Sequence, residues 1–170
     1  VREDWGLRKT NSAIAGASQM GLYPDIEFVQ LDVSDIEKTA RLIKEAQPAI
    51  IYNAMSLQSW WVITTLPQEV YKTIDEARFG PWFPMHFVPA YKLMQAVKKS
   101  GVKAHVVNSA FPDLVNAVLG KLGMAPTVGI GNIDNFLCQS RVVVSKMYKV
   151  PLRSVTVYLV CPHFVSYYAT

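Results

Sequence analysis

The order of apolar and polar residues predicts alternating strands and helices along most of the chain. Residues 26–31 alternate between apolar and polar, which predicts a strand. Ser34 with Glu37 three residues later matches a helix capping box, and the apolar spacing that follows predicts an amphipathic helix over 35–47. Residues 49–52 form a short apolar run, typical of a strand buried on both faces. Together these segments predict a βαβ unit.

The same alternation continues through the rest of the chain. Further strands are predicted at 104–107, 127–130 and 154–161. Further helices are predicted over 67–78, along the apolar stripes 90–97 and 114–122, and from 134 or 135 to about 149. Repeated strand–helix units with apolar strands predict an α/β fold, a doubly wound, mainly parallel sheet with helices on both faces. Ligands bind such sheets beyond the carboxyl ends of the strands.

Composition narrows the class of protein. The chain has 170 residues, 51% of them hydrophobic and 18% charged, which fits a globular domain and excludes a disordered segment or a coiled coil. Two cysteines are too few for a disulfide-built secreted scaffold, and no apolar run is long enough to span a membrane. The net charge of +4 comes from scattered residues, so nucleic acid is not an expected partner. We therefore expect a cytoplasmic protein.

Small and polar residues follow the predicted strands. Asp32, Asn53, Asn108 and Ser109 come directly after strands and are our candidates for contacting a cofactor. Short polar side chains at such positions can bond the ribose or amide of a cofactor, but they can equally bond the turn itself. Ala54 is a further candidate, because a small residue lets the backbone approach a ligand closely.

The strongest candidate for acid–base chemistry is His163, which follows the last predicted strand and a proline. The alternative is a histidine that only bonds a backbone carbonyl. Asp134 and Arg141 lie two helical turns apart, so they could share a face and orient a base or bind a carboxylate. His86, in an aromatic segment, could pack in a core or line a binding site, and His105 lies within a predicted strand and is expected to be structural. No His or Cys spacing indicates a metal site.

The order of motifs in residues 102–163 resembles that of the lactate and malate dehydrogenase superfamily. Residues 111–123 are similar to the family's Asn-Pro-Val-Asp turn and the helix after it. Residues 126–131 look like the approach to the next helix, and residues 150–163 resemble the strand that delivers the catalytic histidine. Upstream, residues 49–54 resemble the strand that ends in a turn over the cofactor.

The resemblance implies a Rossmann-like fold and hydride transfer between NAD or NADP and a small hydroxy or oxo substrate. It implies that His163 is the acid–base group and that Asp134 orients it. Arg141 or Arg78 would bind a carboxylate of the substrate, and Asn108 would lie near the nicotinamide. A small-molecule substrate is the expected partner, and the formation of a homo-oligomer is left as a possibility.

The resemblance also implies how the chain is divided. Residues 1–150 would be a partial NAD(P)-binding domain and residues 151–170 the start of the catalytic region. The glycine loop for the pyrophosphate would precede Val1, so we expect weak NAD(P)H binding, and micromolar affinity would contradict this expectation.

Two other functions stay open. Residues 26–54 look closer to extended dehydrogenases and saccharopine-reductase-like proteins, which leaves a reductase of that kind or of the sugar-nucleotide type as an alternative. A non-catalytic ligand-binding or assembly module is the other, with the tryptophan-rich segment 56–88 as its contact surface.

Overall fold

The residues that the structure describes contain a parallel three-stranded sheet. The computed structural model describes residues 3–77, 80–131 and 133–159, and of these the side chains of residues 60 and 133–135 are not described. The strands are β1 (Ile50–Asn53), β2 (His105–Asn108) and β3 (Val128–Gly129), in the spatial order β1-β2-β3. Both strand pairs are parallel. The predicted α/β class with a parallel sheet is thereby confirmed for the described residues.

Six α-helices accompany the sheet in the described residues. They are α1 (Glu3–Gln19), α2 (Ile36–Ala46), α3 (Gln68–Glu76), α4 (Phe83–Ser100), α5 (Pro112–Lys121) and α6 (Ile133–Tyr148). Short 3-10 helices cover Trp60–Thr65 and Leu152–Ser154. Helix α4 ends at Gly101, whose φ of 72° is the left-handed conformation that glycine adopts without steric cost. Among the described helices, none has the length and apolar content needed to cross a bilayer.

The core forms where α4 packs on one face of the sheet between α2 and α5. One buried cluster joins α4, β2 and α5 and contains Ala90, Met94, Val106, Val115 and Leu119. A second joins α2 to α4 and contains Ala40, Ile43, Leu93 and Ala96. Alanines at the α2–α4 contact let the two helices approach closely, and Ala96 has no exposed surface. Ile51 of β1 packs against both clusters, so the sheet and the three helices share one core.

Two predicted strands are wrong in the described residues. Residues 26–31 form no strand, and instead the Phe28 ring lies over Gly6 of α1, so close that a Cβ at Gly6 would be 2.0 Å from the ring. Of the predicted strand 154–161, Ser154 belongs to a 3-10 helix, residues 155–159 are not a strand, and the remainder lies outside the described residues. An alternating or apolar pattern becomes a strand only when a neighbouring strand supplies its hydrogen bonds, and in the described residues neither segment has one.

The first helix boundary and the burial of β1 also differ from prediction. Asp35, not Ser34, caps α2, because its carboxylate accepts the Lys38 N–H at 3.0 Å. In β1, Ile50 and Tyr52 are 64% and 60% exposed, so this strand is buried on one face only. The described helices that pack on the sheet therefore cover one face of it, whereas helices on both faces were predicted.

Candidate functional site

Two buried asparagines join the carboxyl ends of β1 and β2. Asn53 and Asn108 are opposite each other in the parallel register, each as the last residue of its strand. They are 2% and 0% exposed, and the Asn53 Nδ2 donates to the Asn108 Oδ1 at 2.8 Å. Buried amides are stable only when their polar atoms are hydrogen-bonded, so this pair ties the two strands together where the chain leaves the sheet.

Each asparagine also bends its own chain out of the strand. The Asn53 Oδ1 accepts the Met55 N–H at 3.1 Å, and the Asn108 Oδ1 accepts the Ala110 N–H at 3.1 Å. Both contacts span two residues, the pattern of an Asx turn. The Asn108 Nδ2 further donates to the Asn116 Oδ1 in α5 at 2.7 Å. The sequence leaves open whether Asn53 and Asn108 bond a cofactor or bond their own turns, and these contacts support bonding within the turns.

The predicted residues beside this pair lie in different surroundings. Ser109 is half-buried and donates through both its N–H and its hydroxyl to the Asn53 carbonyl, at 2.8 and 3.0 Å. Ala54 is exposed directly after β1. Asp32 is exposed in the turn before α2, where its carboxylate accepts the Ser34 N–H at 2.8 Å. Ala54 and Ser109 thus flank the asparagine pair, whereas the carboxylate of Asp32 is engaged in its own turn.

The first turns of α4 complete this end of the sheet. The Leu57 N–H, in the loop after β1, donates to the Met85 carbonyl at 3.0 Å. The His86 ring lies against the Phe111 ring, in the loop after β2, with centroids 5.7 Å apart. Phe111 has a φ of 50°, a left-handed conformation that is strained for a bulky residue and that clusters at functional sites. We call Asn53, Ala54, His86, Asn108, Ser109 and Phe111 the strand-end site.

His86 is the titratable side chain of the strand-end site. Its Nδ1 is buried without a hydrogen-bond partner, and burial lowers the pKa of His86 below its ordinary value. Burial therefore favours the neutral form of this imidazole. The sequence presents His86 as a weaker candidate than His163, because a histidine in an aromatic segment could pack in a core as well as line a binding site. The signal that could have identified it is its position early in a helix that leads into a buried strand, since such a helix begins at the carboxyl edge of the sheet.

Arg141 has a structural partner. Its Nε donates to the Val155 carbonyl at 3.0 Å and its Nη2 to the Leu152 carbonyl at 3.2 Å, so the guanidinium fastens α6 to the segment that follows it. The side chain of Asp134 is not described, and Arg78 and His163 lie outside the described residues. The predicted Asp134–Arg141 pair and the role of His163 therefore remain predictions.

Close packing at the end of β3 explains why residue 129, the first of the two glycines in residues 129–131, is a glycine. A Cβ at Gly129 would lie 2.7 Å from the Pro112 Cβ and 2.9 Å from the Asn116 Nδ2, so glycine is required for β3 to approach α5. The Ile130 N–H donates to the Asn108 carbonyl at 2.9 Å, which draws β3 against the asparagine pair. This glycine therefore serves close packing beside the strand-end site.

Neither a metal-binding cluster nor a similarity to known proteins identifies the function of the described residues. Within the described part of the chain, no three His, Cys, Asp or Glu side chains converge in a way that could hold a metal ion. A scan against protein-family models and searches of curated proteins and of solved structures give no match to this chain. The function must therefore be argued from the strand-end site and the parallel sheet that carries it.

Proposed function

We propose that this chain is part of a nicotinamide-dependent oxidoreductase that acts on a small hydroxy or oxo compound, with the cofactor bound at the strand-end site. The observation that carries the proposal is the pair of Asx turns at Asn53 and Asn108. These turns end two adjacent parallel strands at the same level, and in open parallel sheets ligands bind at this edge.

The surroundings of the site support a planar, weakly charged ligand group there. Ala54 is small and exposed, so a ring can approach the backbone after β1. The asparagine amides and the N–H groups of Met55, Ser109 and Ala110 bond within the protein, which leaves the Ala54 peptide group and the Ser109 carbonyl as the groups that would hold the cofactor. A bound nicotinamide supplies the hydride. The site contains no carboxylate, lysine or arginine side chain, and burial favours the neutral form of His86, as suits an uncharged reduced nicotinamide ring.

The first test maps cofactor binding on the protein. We expect NADH or NADPH to shift the backbone ¹H–¹⁵N resonances of Ala54, Met55, Ser109 and Ala110 in the full chain, even if affinity is weak. Resonances at the opposite ends of the strands, Ala49 and Ala104, are the internal control. No shift at saturating dinucleotide, or shifts confined to the control positions, would refute the proposed binding site.

The second test concerns turnover. The chain is assayed with NADH or NADPH and a panel of 2-oxo acids, because the sequence resemblance implies this substrate class. We predict that His163→Ala abolishes turnover while leaving the dinucleotide-induced shifts unchanged. An unaltered rate would remove His163 from the chemistry, and an absence of both binding and turnover would defeat the proposal as a whole.

A second function is favoured by one observation in the tryptophan-rich segment. Trp61 and Leu57 are 53% and 65% exposed, so this segment presents large apolar side chains that a partner could cover. An assembly module with this surface would self-associate. Sedimentation of the full chain and of Trp61→Ser distinguishes the two functions: a concentration-dependent oligomer that Trp61→Ser dissolves supports assembly, and a monomer at high concentration contradicts it.

A further inference from the structure

The end of α6 and the segment after it present large apolar side chains beside positive charges. Val143, Met147 and Tyr148 are 53%, 71% and 70% exposed. Residues 136–159 contain four lysines and arginines and no aspartate or glutamate. The basic side chains at 146, 149 and 153 are exposed and form no ion pair with a described residue. We call Val143, Lys146, Met147, Tyr148, Lys149 and Arg153 the basic surface.

Hydrogen bonds hold the two parts of the basic surface in a fixed arrangement. Arg141 of α6 donates to the Leu152 and Val155 carbonyls. The Ser145 hydroxyl donates to the Val150 carbonyl at 2.6 Å, and the Val150 N–H donates to the Ser145 carbonyl at 3.1 Å. The segment therefore lies against α6 before any partner binds. Such pre-organisation lowers the entropic cost of association.

The segment after α1 presents apolar side chains beside the opposite charge. Leu22, Tyr23 and Val29 are 58%, 85% and 52% exposed. Asp25 and Glu27 are exposed and form no ion pair with a described residue, and residues 10–37 contain no lysine or arginine. We call Leu22, Tyr23, Asp25, Ile26, Glu27 and Val29 the acidic surface. Because both surfaces are exposed, they do not cover each other within one copy of the chain.

Contacts with α1 position the acidic surface. Just past the end of this helix, the Leu22 N–H donates to the Ala17 carbonyl at 3.0 Å. Near the start of the same helix, the Phe28 ring lies over Gly6. The segment therefore runs back along α1 between these two contacts, with its two carboxylates exposed.

We propose that the two surfaces form an interface between copies of this chain, in which the basic surface of one copy covers the acidic surface of another. Each surface combines exposed apolar side chains with charges of one sign, so the contact buries apolar area and pairs opposite charges. Contact between two basic or two acidic surfaces would place like charges together, which is unfavourable. A reciprocal contact closes a dimer, whereas a one-way contact builds larger oligomers. The inference does not rest on the proposed nicotinamide function.

The first experiment measures the mass of the full chain by analytical ultracentrifugation, from micromolar to submillimolar concentration. We expect association that increases with concentration. Lys146→Glu/Arg153→Glu reverses the basic surface and should weaken the association at least about tenfold, because it places like charges across the contact. Asp25→Lys/Glu27→Lys reverses the acidic surface and should weaken it to a similar extent.

The second experiment mixes the two charge-reversed proteins in equal amounts. In the mixture, the native acidic surface of one protein meets the native basic surface of the other, and the two reversed surfaces are again opposite in charge. We expect the mixture to associate about as tightly as the parent, which a protein that had failed to fold could not do. Lys98→Glu/Lys103→Glu is the matched control, since it changes the net charge equally at exposed positions outside both surfaces and should associate like the parent.

The outcomes separate a second copy from other occupants. A monomer at every concentration overturns the inference, and sedimentation of that monomer with vesicles of phosphatidylserine and phosphatidylcholine would assign the basic surface to an anionic membrane instead. Unweakened association in both charge-reversed variants, or no recovery in their mixture, also overturns it. Loss of association in Trp61→Ser assigns the contact to the tryptophan-rich segment. Association that survives Trp61→Ser and recovers on mixing supports the two surfaces.

Discussion

Replacing Asn108 with alanine should destabilise the fold by removing the hydrogen bonds that join the ends of β1 and β2. The substitution removes the Oδ1 that accepts from the Asn53 Nδ2 and the Ala110 N–H, and the Nδ2 that donates to the Asn116 Oδ1. Leaving a buried polar group without its partner costs about 1–3 kcal/mol. The Asn53 amide and the Ala110 N–H belong to buried residues, and each loses its acceptor, whereas Asn116 is half-buried and can bond water. We therefore expect the free energy of unfolding to fall by roughly 2–4 kcal/mol.

Urea denaturation followed by far-UV circular dichroism measures this change, provided that the slope with denaturant stays constant. Ser109→Ala is the matched control, since it deletes one hydroxyl that donates to a carbonyl already bonded by the Ser109 N–H. Its cost should be at most about 1 kcal/mol. If Asn108→Ala is no more destabilising than Ser109→Ala, the asparagine pair does not hold the strands together, and our structural interpretation of Asn53 and Asn108 is wrong.

Three further predictions concern other contacts. Gly129→Ala should lower the free energy of unfolding by about 1–3 kcal/mol, because the added methyl overlaps Pro112, and an unchanged urea midpoint would contradict this. Arg141→Ala should lower it by roughly 1–2 kcal/mol and speed amide exchange in the segment after α6, whereas equal exchange in both proteins would deny the fastening role. Asp35 has its pKa lowered chiefly by the Lys38 N–H, so it stabilises the fold above its ordinary carboxyl pKa and this contribution is lost as pH falls through the lower folded value. Asp35→Asn keeps a capping oxygen and should show a shallower loss of thermal stability on acidification, and identical pH profiles would refute this.

Local signals in the sequence predict most of the central elements. The helix predicted over 35–47 is observed as Ile36–Ala46, and the strands predicted at 49–52 and 104–107 are observed one residue later. The apolar stripe 90–97 is observed within α4, which ends before Gly101, a residue type that commonly stops helices. Such signals suffice because apolar periodicity and helix stops act within a few residues of one another. Such signals do not predict helix α1. Its only large apolar residues are Trp5, Leu7 and Ile14, and they form no amphipathic stripe.

The candidate site is predicted less completely. Asn53 and Asn108 are correctly expected at the carboxyl ends of strands, but that the two strands are neighbours is seen only in the structure. Their mutual hydrogen bond is not predictable, because it depends on a register that pairs residues 55 positions apart in the sequence. The same limit applies to Arg141, whose carbonyl partners become visible only when the segment after α6 folds back on it.

By itself, then, the sequence determined the α/β class, the parallel strands β1 and β2 and the polar residues that end them, because periodicity and turn chemistry are local. Only the tertiary structure decided which apolar segments become strands, which sheet face is covered and that His86 lies beside Phe111 at the strand ends. Residues 26–31 carry a strand pattern but pack through Phe28 on Gly6, and His86 reaches the site through the contacts of α4 with two distant loops. Neighbours that are distant in the chain decide whether a segment forms a strand, which side chains are buried and whether a ring nitrogen finds a hydrogen-bond partner. A local pattern carries no information about those neighbours.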